Sequence, residues 1–389
     1  MLPVPDKEKH TEVSIKVGEI LESFADRTMK KHEAPLLMGY PEAKVWYSVP
    51  LPEGISGDGS EYHFYIKKGT EPNLCIFLSG GGVAWNGYTA ARPVSGGKVA
   101  AKLPNFYWNN LRPFSQLMNI HTGITQILEP ANPVKEWNMA VITYSTGDFH
   151  VGNSEFRYKD EAGRRQVLHF HGYHNFLSAM RTIKIIFPSA EKLLIAGDSA
   201  GGFAVPALAP EIIRDHYPGC GDITLFSDSA QLLFSGWRDT ARNVWKSPEH
   251  IWKPILSDNI TVDWYRNVYS QFGDDIRYLY AGSPRDFLLS EYYNDILNDS
   301  FSTNPRIRNR YCREMKRMLF ELKGITDKFG IMVYNFKNYR QNLGGTVHTA
   351  VRHPRFYSKH TGTGISMSEW LGDAINGNVY DAGGKHFEY

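Results

Sequence analysis

The chain contains few cysteines and almost no net charge, and each shortage excludes a class of protein. Its 389 residues include three cysteines, Cys75, Cys220 and Cys312, with no CxxC pair, so neither a disulfide framework nor a zinc ribbon is predicted. The formal charge of +2 at pH 7 gives no basic stripe for nucleic acid and no acidic tail.

Long apolar runs and nucleotide-binding patterns are also absent. The first residues, MLPVPDKEKHTEVSIK, lack the apolar segment of a secretory signal. No apolar run approaches about 18 residues, so no membrane span is predicted. With so few cysteines, we expect a cytoplasmic location. There is no P-loop and no strand-linked GxGxxG, so no cofactor is predicted. The composition leaves the oligomeric state open.

Short runs of β-branched and aromatic residues, bounded by Gly, Pro or polar residues, predict eight strands. They lie at 44–49, 62–67, 74–80, 139–145, 192–197, 223–229, 277–282 and 331–336. The central runs are almost purely apolar, as in strands covered on both faces. Helical stretches such as 172–187 and 200–216 separate several of them. This alternation predicts one α/β domain over residues 1–389, with a mostly parallel central sheet flanked by helices.

Two connections are too long to be simple turns. Residues 81–137 and 230–275 follow the third and sixth predicted strands and together hold seven of the nine tryptophans. Long segments in a compact domain usually form lids or carry their own helices. We expect them to be cap insertions over one end of the sheet. The alternative is that they are peripheral segments whose tryptophans pack inward.

A serine between small residues gives the main chemical signal. Residues 193–208 read LLIAGDSAGGFAVPAL, and Gly197 to Gly201 match GxSxG between a predicted strand and a predicted helix. This is the setting of a nucleophile elbow, in which the glycines relieve clashes around Ser199. The helix N-terminus would direct its N–H groups at an oxyanion. Alternatively, Ser199 is an ordinary N-cap residue.

A serine nucleophile needs a histidine base and an orienting carboxylate. In such a fold both follow the serine, the acid before the histidine. Asp286 follows the seventh predicted strand, and His348 lies in a glycine-flanked loop after the eighth. They are the candidate acid and base, although Asp286 would equally serve as a helix cap. Asp228 and Asp275 are alternative acids, and His353 is an alternative base.

The glycine run in FLSGGGVAWNG follows the third predicted strand. It lets the backbone approach a bound carbonyl group. We expect the N–H groups of Gly81, Gly82 or Val83, together with that of Ala200, to form the oxyanion hole.

Three further residues lie beside these two segments. Trp85 and Asn86 follow the glycine run, and Asp198 precedes the serine. We expect these side chains to contact the substrate.

A group of histidines suggests a metal at first sight. The segment HFHGYH holds His169, His171 and His174, but it lacks the acidic residue that metal hydrolases of that type usually carry. A ligand set needs three or four groups at fixed geometry. No metal site is therefore predicted.

Several segments together resemble the pectin acetylesterase family of Notum-like α/β-hydrolases. They are FLSGGGVAWN, ITYSTGDFHVGN, HFHGYHN, LLIAGDSAGGFAVP, LFSDSAQLL and GGTVHTAVRHPRFY, from about residue 74 to 357. The resemblance implies an α/β-hydrolase fold and removal of acyl groups by a Ser-Asp-His triad. It places the nucleophile on Ser199, the histidine on His348 and the acid on Asp286.

The chain departs from this family at the places where plant and animal members carry cysteines. Those positions are Val83, Ala84 and Ser145 here, which fits an intracellular or prokaryotic setting. We expect Asp148 and His150, in the STGDFHVGN segment, to brace the loops of the site without a catalytic step.

The residues and the resemblance together predict a cofactor-independent serine carboxylesterase. Its expected substrate is an acylated saccharide, such as an O-acetylated pectin-type polysaccharide, with tryptophans of the cap insertions stacked on sugar rings. Neither nucleic acid nor a membrane is an expected partner. One alternative is an esterase for a longer-chain or small-molecule ester. Another is an inactive hydrolase fold that binds carbohydrate.

Overall fold

The computed structural model describes residues 7–337, 344–359 and 363–387, which form two β-sheets and their surrounding helices. The strands are β1 (Trp46–Ile55), β2 (Glu61–Lys67), β3 (Leu74–Leu78), β4 (Asn138–Ile142), β5 (Ser154–Lys159), β6 (Arg165–Phe170), β7 (Lys192–Asp198), β8 (Asp222–Asp228), β9 (Arg277–Gly282) and β10 (Phe329–Val333).

The main sheet has eight strands in the order β1-β2-β4-β3-β7-β8-β9-β10. Strands β1 and β2 are antiparallel to their neighbours. The other six strands of this sheet, β4, β3, β7, β8, β9 and β10, run parallel to one another. All eight predicted strands are in this sheet, so the prediction of a mostly parallel α/β architecture is confirmed. The carboxyl ends of β3, β7, β8, β9 and β10 therefore meet along one edge, where ligands of such sheets bind.

Helices cover both faces of this sheet. They are α1 (Lys7–Lys30), α2 (Gly87–Ala90), α3 (Gly96–Ala101), α4 (Ser115–Ile120), α5 (Gly172–Ile186), α6 (Ala200–Glu211), α7 (Trp237–Asp239), α8 (Glu249–Trp252), α9 (Ile260–Phe272), α10 (Phe287–Asn298), α11 (Pro305–Lys323) and α12 (Met367–Ile375). Among the helices of the described ranges, none combines the length and the apolarity that crossing a membrane requires.

Strand β3 shows how the sheet creates two cores. Its residues alternate, with Leu74, Ile76 and Leu78 in one buried cluster and Cys75 and Phe77 in another. Successive side chains of a strand point to opposite faces, so a wholly apolar strand must be covered on both. The first cluster includes residues of α5, α6, α9, α10 and α11, and the second includes residues of α12.

Helix α6 follows the central strand β7 and is almost entirely buried. It contains Pro206, which has no N–H to donate to the carbonyl of Gly202 one turn earlier. The hydroxyl of Ser227, on β8, donates to that carbonyl at 2.6 Å. The proline is tolerated in this helix because the neighbouring strand satisfies the acceptor that it leaves open.

The second sheet is an antiparallel hairpin of β5 and β6, which the sequence analysis did not predict. The segment SEFRYK alternates Phe156 and Tyr158 with polar residues, and Gly163 lies in the turn that follows. That alternation is the signal of a strand with one buried face. The predicted strands rest on runs of β-branched and aromatic residues, and charged residues interrupt such a run in this hairpin.

The two long connections carry short helices and bury most of their tryptophans. Trp237, Trp245 and Trp264 are fully buried, and Trp85 and Trp137 are buried as well. These five rings pack inward, as in the alternative interpretation, and the stacking of cap tryptophans on sugar rings stays a prediction. Trp108 and Trp252 are half-buried. The assignment of 81–137 and 230–275 as cap insertions stays a prediction.

Candidate active site

Ser199 lies in the turn between β7 and α6, with φ 51° and ψ −124°. A non-glycine residue at positive φ costs of order 1–3 kcal/mol and persists only where its surroundings hold it. A Cβ atom on Gly201 would overlap the carbonyl oxygen of Leu78, and one on Gly197 would overlap that of Gly201. The GxSxG pattern is thus a steric requirement of a turn pressed against β3.

Ser199 occupies the N-cap position of α6, but its side chain makes no capping hydrogen bond. Its backbone N–H donates to the carbonyl of Asp228 at 2.8 Å, at the end of the adjacent strand β8. The alternative interpretation of an ordinary capping serine therefore lacks the contact that defines a cap. Ala200 begins the helix, where backbone N–H groups have no partner within the helix.

Asp286 and His348 form a buried pair. The Nδ1 atom of His348 lies 2.6 Å from the Oδ2 atom of Asp286, and the two side chains are 11% and 1% exposed. The other oxygen of Asp286 accepts the backbone N–H groups of Leu288 and Leu289. Asp286 is thus both a helix cap and the partner of His348, so the two interpretations of this residue coexist.

The charge of this pair shifts the pKa of the histidine. Burial by itself lowers the pKa of His348, but the Asp286 carboxylate and its hydrogen bond raise it more, so that the pKa lies above its ordinary value. The Nε2 atom of His348 is buried and has no hydrogen-bond partner within the described part of the chain. An oriented imidazole with one unpartnered nitrogen is suited to accept and return a proton.

Neither alternative acid is hydrogen-bonded to His348 within the described part of the chain. The carboxylate of Asp228 accepts the N–H groups of Ala350 and Val351, and Asp275 is exposed in a short helical turn before β9. His353 accepts the backbone N–H of Arg355 through Nδ1, at the start of the turn Pro354–Tyr357.

The glycine run is held against the segment around Phe106. Gly82 has φ +85°, and a Cβ atom there would overlap the carbonyl oxygen of Phe106. The N–H of Val83 donates to that same carbonyl at 2.8 Å. The assignment of Val83 to the oxyanion hole is therefore wrong, because its N–H already has a partner. The N–H groups of Gly81 and Gly82 have no acceptor among the described residues.

Asp198 faces inward and holds the site together. Its Oδ1 atom lies 2.8 Å from Nε of Arg352, and both residues are buried. The same carboxylate oxygen accepts the N–H of Gly80 at 2.9 Å. Arg352 also donates to the carbonyl of Gly80. Asp198 thus positions the glycine run, and its contact with substrate stays a prediction.

Trp85 and Asn86 have structural partners too. The indole of Trp85 is buried among the rings of Phe106, Phe234, Trp237 and Tyr292. The side chain of Asn86 caps α2 by accepting the N–H of Thr89. Both side chains thus have partners within the protein, and their contact with substrate stays a prediction.

Asp148 and His150 contact the loops of the site, in agreement with the predicted bracing role. The carboxylate of Asp148 is fully buried and accepts the Thr146 hydroxyl and the N–H of Gly172. The Nε2 atom of His150 lies 2.8 Å from the carbonyl of Ser79, directly before the glycine run. Burial raises the pKa of Asp148 to about 6 and lowers that of His150 to about 4.

The three histidines after β5 lie near one another without converging. The ring centroids of His169 and His171 are 5.7 Å apart, and those of His171 and His174 are 5.9 Å apart. Within the described ranges, no group of three or more His, Cys, Asp or Glu residues is arranged to hold a metal ion.

Sequence reasoning missed two residues that organise the site. Arg352 joins Asp198 to the glycine run, and Asp228 joins the serine turn to the loop after His348. The sequence predicts Asp228 only as an alternative acid. Neither role has a local signal, since the partners are far apart in sequence. Their places at strand ends were the available hint.

The strand order, the antiparallel edge and the serine turn after the central strand define an α/β-hydrolase. Residues 53–234 match the family model described as Pectinacetylesterase, and no curated protein matches the chain. The resemblance to this family, which is one of carboxylic ester hydrolases, is thereby confirmed over just under half of the chain. The matched segment includes Ser199 and the glycine run, whereas Asp286 and His348 lie beyond it.

Proposed function

We propose that the protein is a serine esterase that removes acetyl groups from a saccharide ester. The observation that carries this proposal is the pairing of His348 with Asp286 at 2.6 Å, in a molecule that also holds Ser199 in a strained turn at a helix N-terminus. These are the parts that acyl transfer through a serine requires.

In the proposed mechanism Ser199 attacks the ester carbonyl while Nε2 of His348 takes the hydroxyl proton. The N–H groups of Ala200 and of Gly81 or Gly82 stabilise the oxyanion. The tetrahedral intermediate expels the sugar alkoxide, which receives the proton from His348, and leaves an acetyl-enzyme. Water then attacks this ester with His348 again as the base, releasing acetate and restoring the serine. Asp286 holds the imidazole and stabilises its charged form.

The test compares the hydrolysis of p-nitrophenyl acetate and butyrate by the wild type and by Ser199→Ala. We expect the variant to lose at least about 10³-fold in kcat, and we expect the wild type to prefer acetate. Release of acetate from an acetylated polysaccharide then tests the saccharide part.

Ser366→Ala is the matched control, because Ser366 is a serine that does cap a helix, α12. It should retain the wild-type rate. Equal rates for the wild type and Ser199→Ala would refute the proposed nucleophile. A preference for butyrate would instead favour the longer-chain alternative.

A further inference from the structure

Helix α1 exposes a row of large apolar side chains to solvent. Between 48% and 65% of each residue in this row is exposed, and the row consists of Val13, Val17, Ile20, Leu21 and Phe24. Residues 13, 17, 20 and 24 follow one another at steps of four, three and four, so they lie along one line of the helix surface. We call these four residues, with Leu21 beside them, the apolar seam of α1.

The seam lies on the side of α1 that points away from the rest of the protein. The opposite side packs on α3, where a Cβ atom on Gly18 would overlap the carbonyl oxygen of Gly96. Glu22 and Asp26 form ion pairs with Arg112 on this packed side. Residue 22 lies roughly 160° around the helix axis from the seam residues before and after it. The helix is thus attached to its own domain through small and charged residues, while its apolar residues face outward.

The spacing of the seam indicates what kind of surface covers it. Alternating steps of three and four residues are the pattern of helices that pack against each other as a coiled coil. A helix that lies on a membrane carries basic residues beside its apolar face. The exposed neighbours of this seam include the acidic Glu12 and Glu19 as well as the basic Lys16 and Arg27, and an anionic lipid surface would repel the acids. A second helix therefore fits the seam better than a membrane does.

The seam is complementary to a second copy of itself that runs in the opposite direction. The step of four residues from 13 to 17 equals the step from 20 to 24. An antiparallel pair that places Val17 level with Ile20 of the second copy therefore also places Val13 level with Phe24. Each of these contacts joins a smaller side chain to a larger one, which lets the two seams interdigitate. By symmetry each contact occurs twice.

The charges beside the seam favour the same antiparallel arrangement. Glu12, Lys16, Glu19 and Arg27 are separated by steps of four, three and eight residues, so they lie along one edge of the seam. A two-fold axis brings this edge against the same edge of the second copy. Glu12 then lies two positions from the level of Arg27, and Lys16 lies two positions from the level of Glu19. Two positions are about 3 Å along the helix axis, so opposite charges meet. A parallel pair would instead bring the two copies of Arg27 together.

We propose that α1 is the interface of a homodimer, in which the two copies of the helix pack antiparallel along their apolar seams. Because each seam points away from its own domain, the two domains lie on opposite sides of the helix pair. The seam contains none of the residues of the candidate active site, so this proposal does not rest on the proposed function.

The test is the molar mass of the full chain in solution, measured by sedimentation equilibrium over a range of protein concentrations. We compare the wild type with Ile20→Glu, which places a charge in the middle of the seam. The matched control is Ile185→Glu, because Ile185 is an isoleucine of another helix, α5, that is 80% exposed. Circular dichroism checks that both variants are folded.

We expect the wild type to sediment as a dimer and Ile185→Glu to behave like it. Ile20→Glu should raise the dissociation constant of the dimer at least about 100-fold, because the interface loses two buried isoleucines and gains two charges. A wild type that is monomeric at all concentrations would overturn the proposal, as would equal dissociation constants of the wild type and Ile20→Glu. Binding of a monomeric wild type to phosphatidylserine vesicles, abolished in Ile20→Glu, would overturn it by assigning the seam to a lipid surface.

An exchange of charges tests the antiparallel direction. Glu12→Arg alone and Arg27→Glu alone each place like charges opposite each other, so each should weaken the dimer about fivefold. The double variant should restore the wild-type dissociation constant. Within one chain the two residues are too far apart along the helix to interact, so restoration requires a contact between copies. Additive weakening in the double variant would exclude the antiparallel pair.

Discussion

The backbone N–H of Ser199 donates to the carbonyl of Asp228 at 2.8 Å, so the serine turn is attached to the end of the neighbouring strand. The carboxylate of the same Asp228 accepts the N–H groups of Ala350 at 2.7 Å and Val351 at 2.9 Å. These residues lie two and three positions after His348. One buried aspartate therefore holds both the serine and the histidine loop in place.

Replacement of Asp228 should lower kcat more than it changes KM. In Asp228→Ala, the N–H groups of Ala350 and Val351 lose their buried acceptor, so the loop shifts and kcat falls about 10²-fold. The hydroxyl groups of Tyr334 and Ser229 donate to Oδ1 of Asp228 at 2.7 and 3.0 Å. In Asp228→Asn, the amide oxygen still accepts both backbone N–H groups, and the two hydroxyl groups can turn to accept from the amide N–H₂. We expect Asn to restore most of the rate in steady-state assays.

Asp263→Ala is the matched control for that pair of variants. Asp263 is a buried aspartate of α9 that accepts the N–H groups of Leu256 and Ser257, so its loss also frees a loop. It should lower the melting temperature and leave kcat unchanged. If Asp228→Ala behaves in the same way, Asp228 has no positioning role in catalysis.

Replacement of Asp286 should change the pH dependence of the esterase. His348 must be neutral to act as a base, so activity falls as the pH drops through its pKa, which Asp286 raises above the ordinary value. In Asp286→Asn the burial of His348 remains but the negative charge is gone, so this limb should move to lower pH. The rate should also fall roughly 10²–10⁴-fold, because the imidazole loses its orienting partner.

Profiles of kcat/KM against pH for the wild type and Asp286→Asn check this prediction. Asp275→Asn serves as the control, since Asp275 is exposed and was an alternative acid. Its profile should match that of the wild type. A shift of the Asp286→Asn limb to higher pH would contradict the proposed origin of the raised pKa.

Gly201→Ala should destabilise the protein and abolish activity. The added methyl group would overlap the carbonyl oxygen of Leu78. Because a Cβ atom and a backbone oxygen cannot move independently of the main chain, the serine turn must move away from β3. We expect a loss of about 2–4 kcal/mol in the free energy of unfolding, measured by denaturant titration. Gly219→Ala is the control, because a Cβ atom there meets nothing within 4 Å. Wild-type stability of Gly201→Ala would refute this steric argument.

Asp148→Asn should weaken the support behind the glycine run. Both carboxylate oxygens of Asp148 accept hydrogen bonds, from Thr146 and His150 on one side and from Gly172 on the other. An amide N–H₂ would face one of these donors, leaving a buried polar group unsatisfied at a cost of about 1–3 kcal/mol. Thermal unfolding measures this loss. The exposed Asp258→Asn should change stability by less than about 0.5 kcal/mol, and equal stability of the two variants would contradict the prediction.

Much of the architecture could be predicted because its signals are local. Apolar runs such as LCIFL identified strands of the main sheet, since a strand covered on both faces must be apolar throughout. The pattern around Ser199 also identified its turn, because the steric needs of that turn are met by residues only two positions away. Asp286 and His348 could then be selected as acid and base because they follow the seventh and eighth predicted strands.

Other features depend on contacts between distant segments, and only the tertiary structure decided them. The N–H of Val83 donates to the carbonyl of Phe106, and the carboxylate of Asp198 pairs with Arg352. Neither partner is visible in the local sequence. Likewise, the charges of Lys159 and Arg165 face each other only once the hairpin has formed. The sequence by itself determined which segments become strands and where a serine turn fits. The folded chain decided which polar groups are already bonded, because hydrogen bonding depends on distances in space.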